Sequence, residues 1–170
     1  MTFDRAVEIV LLHEGGYVND SHDAGGETKY GISKRSYPHL DIKNLSFDHA
    51  KSIYKKDYWD FTSCDKLPSH ARLLVFDCAV NQGVTRAILF MQRSIGVTVD
   101  GLLGPITLRA LGLKEPRIFI SEYIGHRFEA YTKNPHWNRY GRGWMKRLFD
   151  MAIKNYEGII LTNPNKSQMT

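Results

Sequence analysis

Glu14 is the residue whose surroundings first suggest chemistry. The run His13-Glu14-Gly15-Gly16-Tyr17 sets a carboxylate at the end of an apolar helical segment, facing a glycine-lined loop. A carboxylate there feels the negative end of the helix dipole, which favours its protonated form, and partial burial acts in the same direction. A general acid working near neutral pH has these needs. A solvated glutamate before a glycine C-cap is the plainer reading of the tripeptide alone. Its company argues for more, because Asp20, Asp23 and Thr28 follow closely. Cleaving a glycosidic bond takes one protonated carboxyl for the leaving oxygen and a charged or polar group on the opposite face. Asp23 is the candidate for that second carboxylate, with Asp20 as the alternative, and Thr28 offers a hydroxyl to fix a nucleophilic water. Gly25-Gly26 would let a polymer pass close to the backbone. Calcium binding is the rival reading of Asn19, Asp20, Asp23 and Glu27, but their spacing is not that of a helix–loop–helix calcium loop. The histidines show no metal-ligand spacing, and neither metal nor cofactor is expected.

The elements that must hold these groups can be read from periodicity. Phe3, Ala6, Val7, Val10 and Leu11 form one helical stripe, with Thr2 as cap and Asp4 in the first turn. The helix is expected to stop near Glu14, where Gly15-Gly16 begins. Gly15, Gly16, Gly25, Gly26 and Gly31 then punctuate short β-prone pieces up to residue 33, so a small hairpin or folded loop is expected. Beyond it the chain reads as helical. Ser46 can cap a helix carrying Phe47, Ala50, Ile53, Tyr54 and Tyr58. Ser69 can cap another, apolar on all sides and therefore central, that closes at Gly83. Thr85 opens the next, and the loop Asp100–Gly104 leads to Pro105 at a first helical turn. Segments 116–132 and 143–157 give the last two helices, and 161–170 reads as a flexible tail. The fold class expected is α+β, predominantly helical, with a small β-hairpin after the first helix.

Bulk properties set wider bounds. At 170 residues, with 42% hydrophobic and 24% charged, the chain has the balance of an ordinary globular domain and needs no disulfide or metal to fold. Cys64 and Cys78 lack metal or redox spacing; two reduced thiols are expected, with a single bridge as the alternative. The net charge of +5 suits an anionic partner. The basic residues are scattered and match no nucleic-acid readout motif, so nucleic acid is not expected as a partner. No signal-peptide pattern and no membrane-length apolar run are seen, so stable membrane insertion is not expected either.

The stretch Glu14-Gly-Gly-Tyr-Val-Asn-Asp20-Ser-His-Asp23-Ala-Gly-Gly-Glu-Thr28-Lys-Tyr30-Gly31-Ile32-Ser33 resembles the signature of glycoside hydrolase family 108, the phage and bacterial N-acetylmuramidases. It also resembles the Glu…Asp…Thr triad of the smaller phage lysozymes. Eight residues separate Glu14 from Asp23, as in those enzymes; four separate Asp23 from Thr28, where they have five. The second half, through Asp77-Cys-Ala-Val-Asn81-Gln-Gly83, Met91-Gln92-Arg93, Asp100-Gly101-Leu-Leu-Gly104-Pro105 and Arg139-Tyr-Gly-Arg-Gly143-Trp144, is similar to the helical peptidoglycan-binding region that accompanies the family.

The resemblance implies a lysozyme-like fold, with residues 1–84 as a catalytic muramidase region and 85–160 as a helical peptidoglycan-binding-like region packed on it. It implies Glu14, Asp23 and Thr28 as catalytic residues, and Tyr30, Gly31, Asp77, Asn81 and Gln92 as substrate contacts. Asp77 and Asn81, at i and i+4 on the central helix, have a second reading as internal polar partners. The implied activity is hydrolysis of the β-1,4 bond between N-acetylmuramic acid and N-acetylglucosamine in peptidoglycan glycan strands, by a monomer. An endolysin made in the host cytoplasm and released by a holin to the periplasm and cell wall would need no signal peptide. A lytic transglycosylase and a non-catalytic wall-binding protein are the rival functions.

Overall fold

The computed structural model describes residues 1–14, 17–19 and 26–162. Two compact units divide the chain: residues 2–57, and Met1 with the chain from Tyr58 onward.

In the first unit, α1 (Phe3–Leu11) is capped by Thr2, whose hydroxyl accepts from the Arg5 amide at 3.4 Å. Ala6, Val7, Ile9 and Val10 are buried. Regular helix ends earlier than Glu14; the last residues turn on tighter bonds, from His13 N–H to the Val10 carbonyl and from Glu14 N–H to the Leu11 carbonyl. Three short strands follow, β1 (Val18–Asn19), β2 (Glu27–Lys29) and β3 (Ile32–Ser33), in an antiparallel sheet of order β1-β2-β3. The sheet therefore has one strand more than the expected hairpin. Its second connection was hidden in the sequence: Lys29 pairs with Ile32, so Tyr30-Gly31 alone makes the turn. Both residues have left-handed backbone, φ +53° and +72°, as a two-residue hairpin of the primed type requires. Helix α2 (Phe47–Tyr54) is capped by Ser46, which accepts from the His49 amide at 3.2 Å, and widens into a π-helical segment, Lys55–Asp60.

The second unit is helical: α3 (Ser69–Gln82), α4 (Val84–Ile95), α5 (Pro105–Leu113), α6 (Pro116–Thr132) and α7 (Trp137–Thr162). Helix α3 is buried from His70 to Ala79 except at Arg72, and packs against α4, α6 and α7. It is the central helix expected, although Pro68 rather than Ser69 stands at its cap. Helix α7 starts six residues before the expected 143 and runs into the segment read as a tail; residues 163–170 lie outside the described residues. Cys64 and Cys78 are free and buried, and burial pushes the Cys78 thiol up. Among the described residues, no helix is long and apolar enough to cross a membrane.

One charge lies inside this apolar packing. Asp77 on α3 is fully buried, and its two carboxylate oxygens accept from Arg127 of α6 and Arg147 of α7, each at 2.8 Å. Removing one partner of such a cluster leaves buried charge uncompensated. Asp77→Ala is expected to lower unfolding free energy by about 3–5 kcal/mol, read from the urea midpoint at unchanged slope. A shift below 1 kcal/mol would show that the arginines find other partners.

Candidate active site

The tight turn at Tyr30-Gly31 determines where Glu14 can lie. A Cβ built on Gly31 would come within 2.6 Å of Glu14 Oε2 and 2.7 Å of the Tyr54 hydroxyl oxygen. The glycine's bare face is therefore filled by the Glu14 carboxyl and the Tyr54 phenol. Tyr54, at the end of α2 and 2% exposed, donates its hydroxyl proton to the Tyr30 carbonyl at 2.8 Å. The Tyr30 ring packs edge-on against Phe47 at 5.8 Å between centroids, and Lys29 Nζ lies 5.5 Å from the same ring. A non-glycine residue at positive φ is uncommon, and here both its carbonyl and its ring are held.

Beside the turn lies a groove of about 460 Å³, lined by Arg5, Glu8, Leu11, Leu12, Glu14, Tyr30 and Phe47. Helix α1 thus divides its faces. Ala6, Val7, Ile9 and Val10 go to the core, while Arg5, Glu8 and Leu12 (at i, i+3, i+7) form one wall of the groove. Leu12 is 77% exposed and Phe47 41%, large apolar surfaces left open beside a carboxyl.

The structure brings Glu14, Tyr30 and Gly31 together. Thr28 sits at the centre of β2, opposite Ser33 of β3, with its hydroxyl donating to the Gly26 carbonyl at 3.4 Å. Asp23 and Asp20 lie outside the described residues, as do Gly15, Gly16 and Gly25. The other expected substrate contacts belong to the helical unit. Asp77 is enclosed by its two arginines. Gln92, 1% exposed, donates to Asp100 Oδ1 at 2.7 Å and to the Leu102 carbonyl at 3.0 Å, and accepts from the Gly101 amide at 2.8 Å. Its amide ties down the glycine-rich loop, and the Leu102 amide and the Gln92 amide hold the Asp100 carboxyl below the usual range. Half-buried Asn81 accepts from the Tyr131 hydroxyl. Asp77 and Gln92 are thus engaged inside the protein by every polar atom described; for Asp77 this is the internal reading that the sequence also offered.

The residues that sequence reading passed over are Arg5, Glu8, Leu12, Phe47 and Tyr54. The first three carried a usable signal, since they repeat at helical spacing on the side of α1 away from its apolar stripe. Tyr54 carried none, being indistinguishable in sequence from a core aromatic.

A mostly helical α+β chain, with a helix-end carboxyl against a tight hairpin and an open groove alongside, has the arrangement of a lysozyme-like fold. Residues 7–83 match the model of the family Glycosyl hydrolase 108, and with the fold this match supports a peptidoglycan-hydrolysing, lysozyme-like glycoside hydrolase. The solved structure of Brucella abortus SagA is similar in fold, with a TM-score of 0.82 and 28% identity, over 91% of this chain and 94% of that one. No curated protein sequence matches the chain.

Gly31 is the position where substitution should act most directly on the carboxyl. Gly31→Ala adds a methyl where Glu14 and Tyr54 already lie, at a φ that costs an L-residue about 1 kcal/mol or more. A displaced carboxyl should lower lytic activity about 100-fold in protein that still unfolds cooperatively. Full activity in that variant would show that Glu14 need not lie against this turn.

Proposed function

We propose that the chain is an endolysin that hydrolyses the β-1,4 bond between N-acetylmuramic acid and N-acetylglucosamine, with Glu14 as general acid. The observation that carries this reading is the position of the Glu14 carboxyl, against Gly31 at the edge of an open groove. In this reading Glu14 protonates the glycosidic oxygen as the bond to the anomeric carbon breaks. Thr28 orients the attacking water, and Asp23, or Asp20 in its place, supports the developing positive charge. Tyr30 and Gly31 lie beside the scissile sugar.

The groove lining suits a glycan. Leu12, Tyr30 and Phe47 offer apolar surface to sugar faces, and Arg5 and Glu8 offer partners to hydroxyl and amide groups. The +5 net charge favours approach to an anionic envelope. Residues 1–84 carry the chemistry in this proposal, and 85–160 form the peptidoglycan-binding-like region. Synthesis in a host cytoplasm, followed by holin-dependent release to the cell wall, is the accompanying proposal for where the enzyme acts.

Glu14→Gln keeps the shape of the side chain and removes its transferable proton. Lysis of permeabilised Gram-negative cells should fall by about 10²–10⁴-fold, with circular dichroism unchanged. A folded variant with near-normal lysis would remove Glu14 from the role.

The bond and the reaction type are read together from the products. Mass spectrometry of digested peptidoglycan should show muropeptides with reducing N-acetylmuramic acid, one water heavier than anhydro products. Anhydro termini would make the enzyme a lytic transglycosylase, reducing N-acetylglucosamine would move the cleaved bond, and no release would leave a wall-binding protein.

A further inference from the structure

We propose that Tyr54 is a positioning residue for the Glu14 carboxyl, acting through the Tyr30-Gly31 turn; this rests on Glu14 being the general acid. Three observations converge on it. The Tyr54 hydroxyl donates to the carbonyl of Tyr30 at 2.8 Å, the residue whose non-glycine backbone stands at φ +53°. The same hydroxyl oxygen and Glu14 Oε2 both crowd the point where a Gly31 Cβ would stand, at 2.7 and 2.6 Å. And Tyr54 is itself buried, 2% exposed, at the end of a helix capped at its start by Ser46.

The physical argument starts from strain. A tyrosine in left-handed backbone costs free energy that its surroundings must offset. One hydrogen bond to its carbonyl, from a phenol with little freedom of its own, supplies a directional restraint. Phe47, against the Tyr30 ring, is seven residues earlier on the same helix. Helix α2 thus holds the turn by backbone and by side chain. With the turn fixed, Gly31 presents a bare face that the Glu14 carboxyl fills. Without the hydroxyl, the carbonyl of Tyr30 loses its partner, the turn is free to shift, and the carboxyl gains room and water. A displaced carboxyl transfers its proton less effectively.

Tyr54→Phe tests this, since it keeps the ring and removes only the hydroxyl. The assay uses soluble, uncross-linked peptidoglycan glycan strands, on protein whose thermal midpoint lies well above the assay temperature. The expected result is a fall in kcat of about 10-fold with KM within about twofold. A purely structural role would lower the thermal midpoint and leave kcat of the folded enzyme unchanged. Wild-type kcat, or a loss confined to KM, overturns the proposal. If Tyr54→Phe is unfolded at the assay temperature, the comparison is made at a lower temperature at which it is folded; the same kcat loss relative to wild type is expected there, and its absence overturns the proposal. The Glu14→Gln result separates the two readings: an active Glu14→Gln enzyme removes the general acid itself, whereas an inactive one beside a normal Tyr54→Phe removes only the positioning role.

Discussion

A carboxylate with no access to water dictates the arrangement of the helical unit. Asp77 stands on α3 among residues that are apolar on every side, and such a helix has no face that prefers one neighbour over another. The two guanidiniums provide the preference, because one carboxylate oxygen meets Arg127 of α6 and the other Arg147 of α7. Two positive charges around one negative would be poorly matched alone. Further acceptors join the cluster: Arg127 also donates to Gln82 Oε1 at 2.8 Å and to the Tyr131 hydroxyl at 3.3 Å, and Tyr131 donates in turn to Asn81. Asp77, Asn81 and Gln82 thus mark one side of α3. Such clusters add little net stability over an apolar core of the same shape. What this one fixes is rotation, since turning α3 by one residue would part Asp77 and Gln82 from their arginines and Asn81 from Tyr131.

In the unit of residues 2–57 the corresponding constraint is an absence of atoms. Gly31 is needed twice over, for its φ of +72° and because its missing side chain leaves the space that the Glu14 carboxyl and Tyr54 hydroxyl fill. The two needs are independent. A left-handed asparagine would satisfy the first and fail the second. Here the turn that ends one strand and the slot that receives a carboxyl are one residue.

How much of this the sequence disclosed follows from the range of each interaction. Helices α1 to α6 were legible because apolar periodicity and caps are local, and the hydroxyls of Thr2 and Ser46 do cap their helices. The start of α7 was misread because Gly141 looks like a breaker. Gly141 stays helical with the Trp137 ring lying over it, where a Cβ would come within 2.7 Å of the indole. Gly31 was read as punctuation but Tyr30 as part of a β-prone piece, since a left-handed tyrosine has no sequence mark and its restraint, Tyr54, comes 24 residues later. Asp77 was open to both a glycan and an internal reading for the same reason: its partners are 50 and 70 residues away, and nothing near it announces them. Glu14 was legible because helix, carboxylate and glycines are consecutive.

Helix α1 connects these levels. It is nine residues long, yet it supplies core on one side and groove wall on the other. Burial of Ala6, Val7, Ile9 and Val10 fixes its rotation, and rotation determines that Arg5, Glu8 and Leu12 face outward together. The Arg5–Glu8 pair, at 3.6 Å with both side chains more than half exposed, adds little to stability. Its groups remain accessible to whatever enters the groove. The two tighter turns after Leu11 then carry the chain to Glu14 without regular helix, so the carboxyl leaves the core face and reaches the glycine of the hairpin. The apolar stripe of one short helix thereby sets the place of a carboxyl that is not part of the stripe. Core packing and site geometry in this unit are consequences of the same four buried side chains.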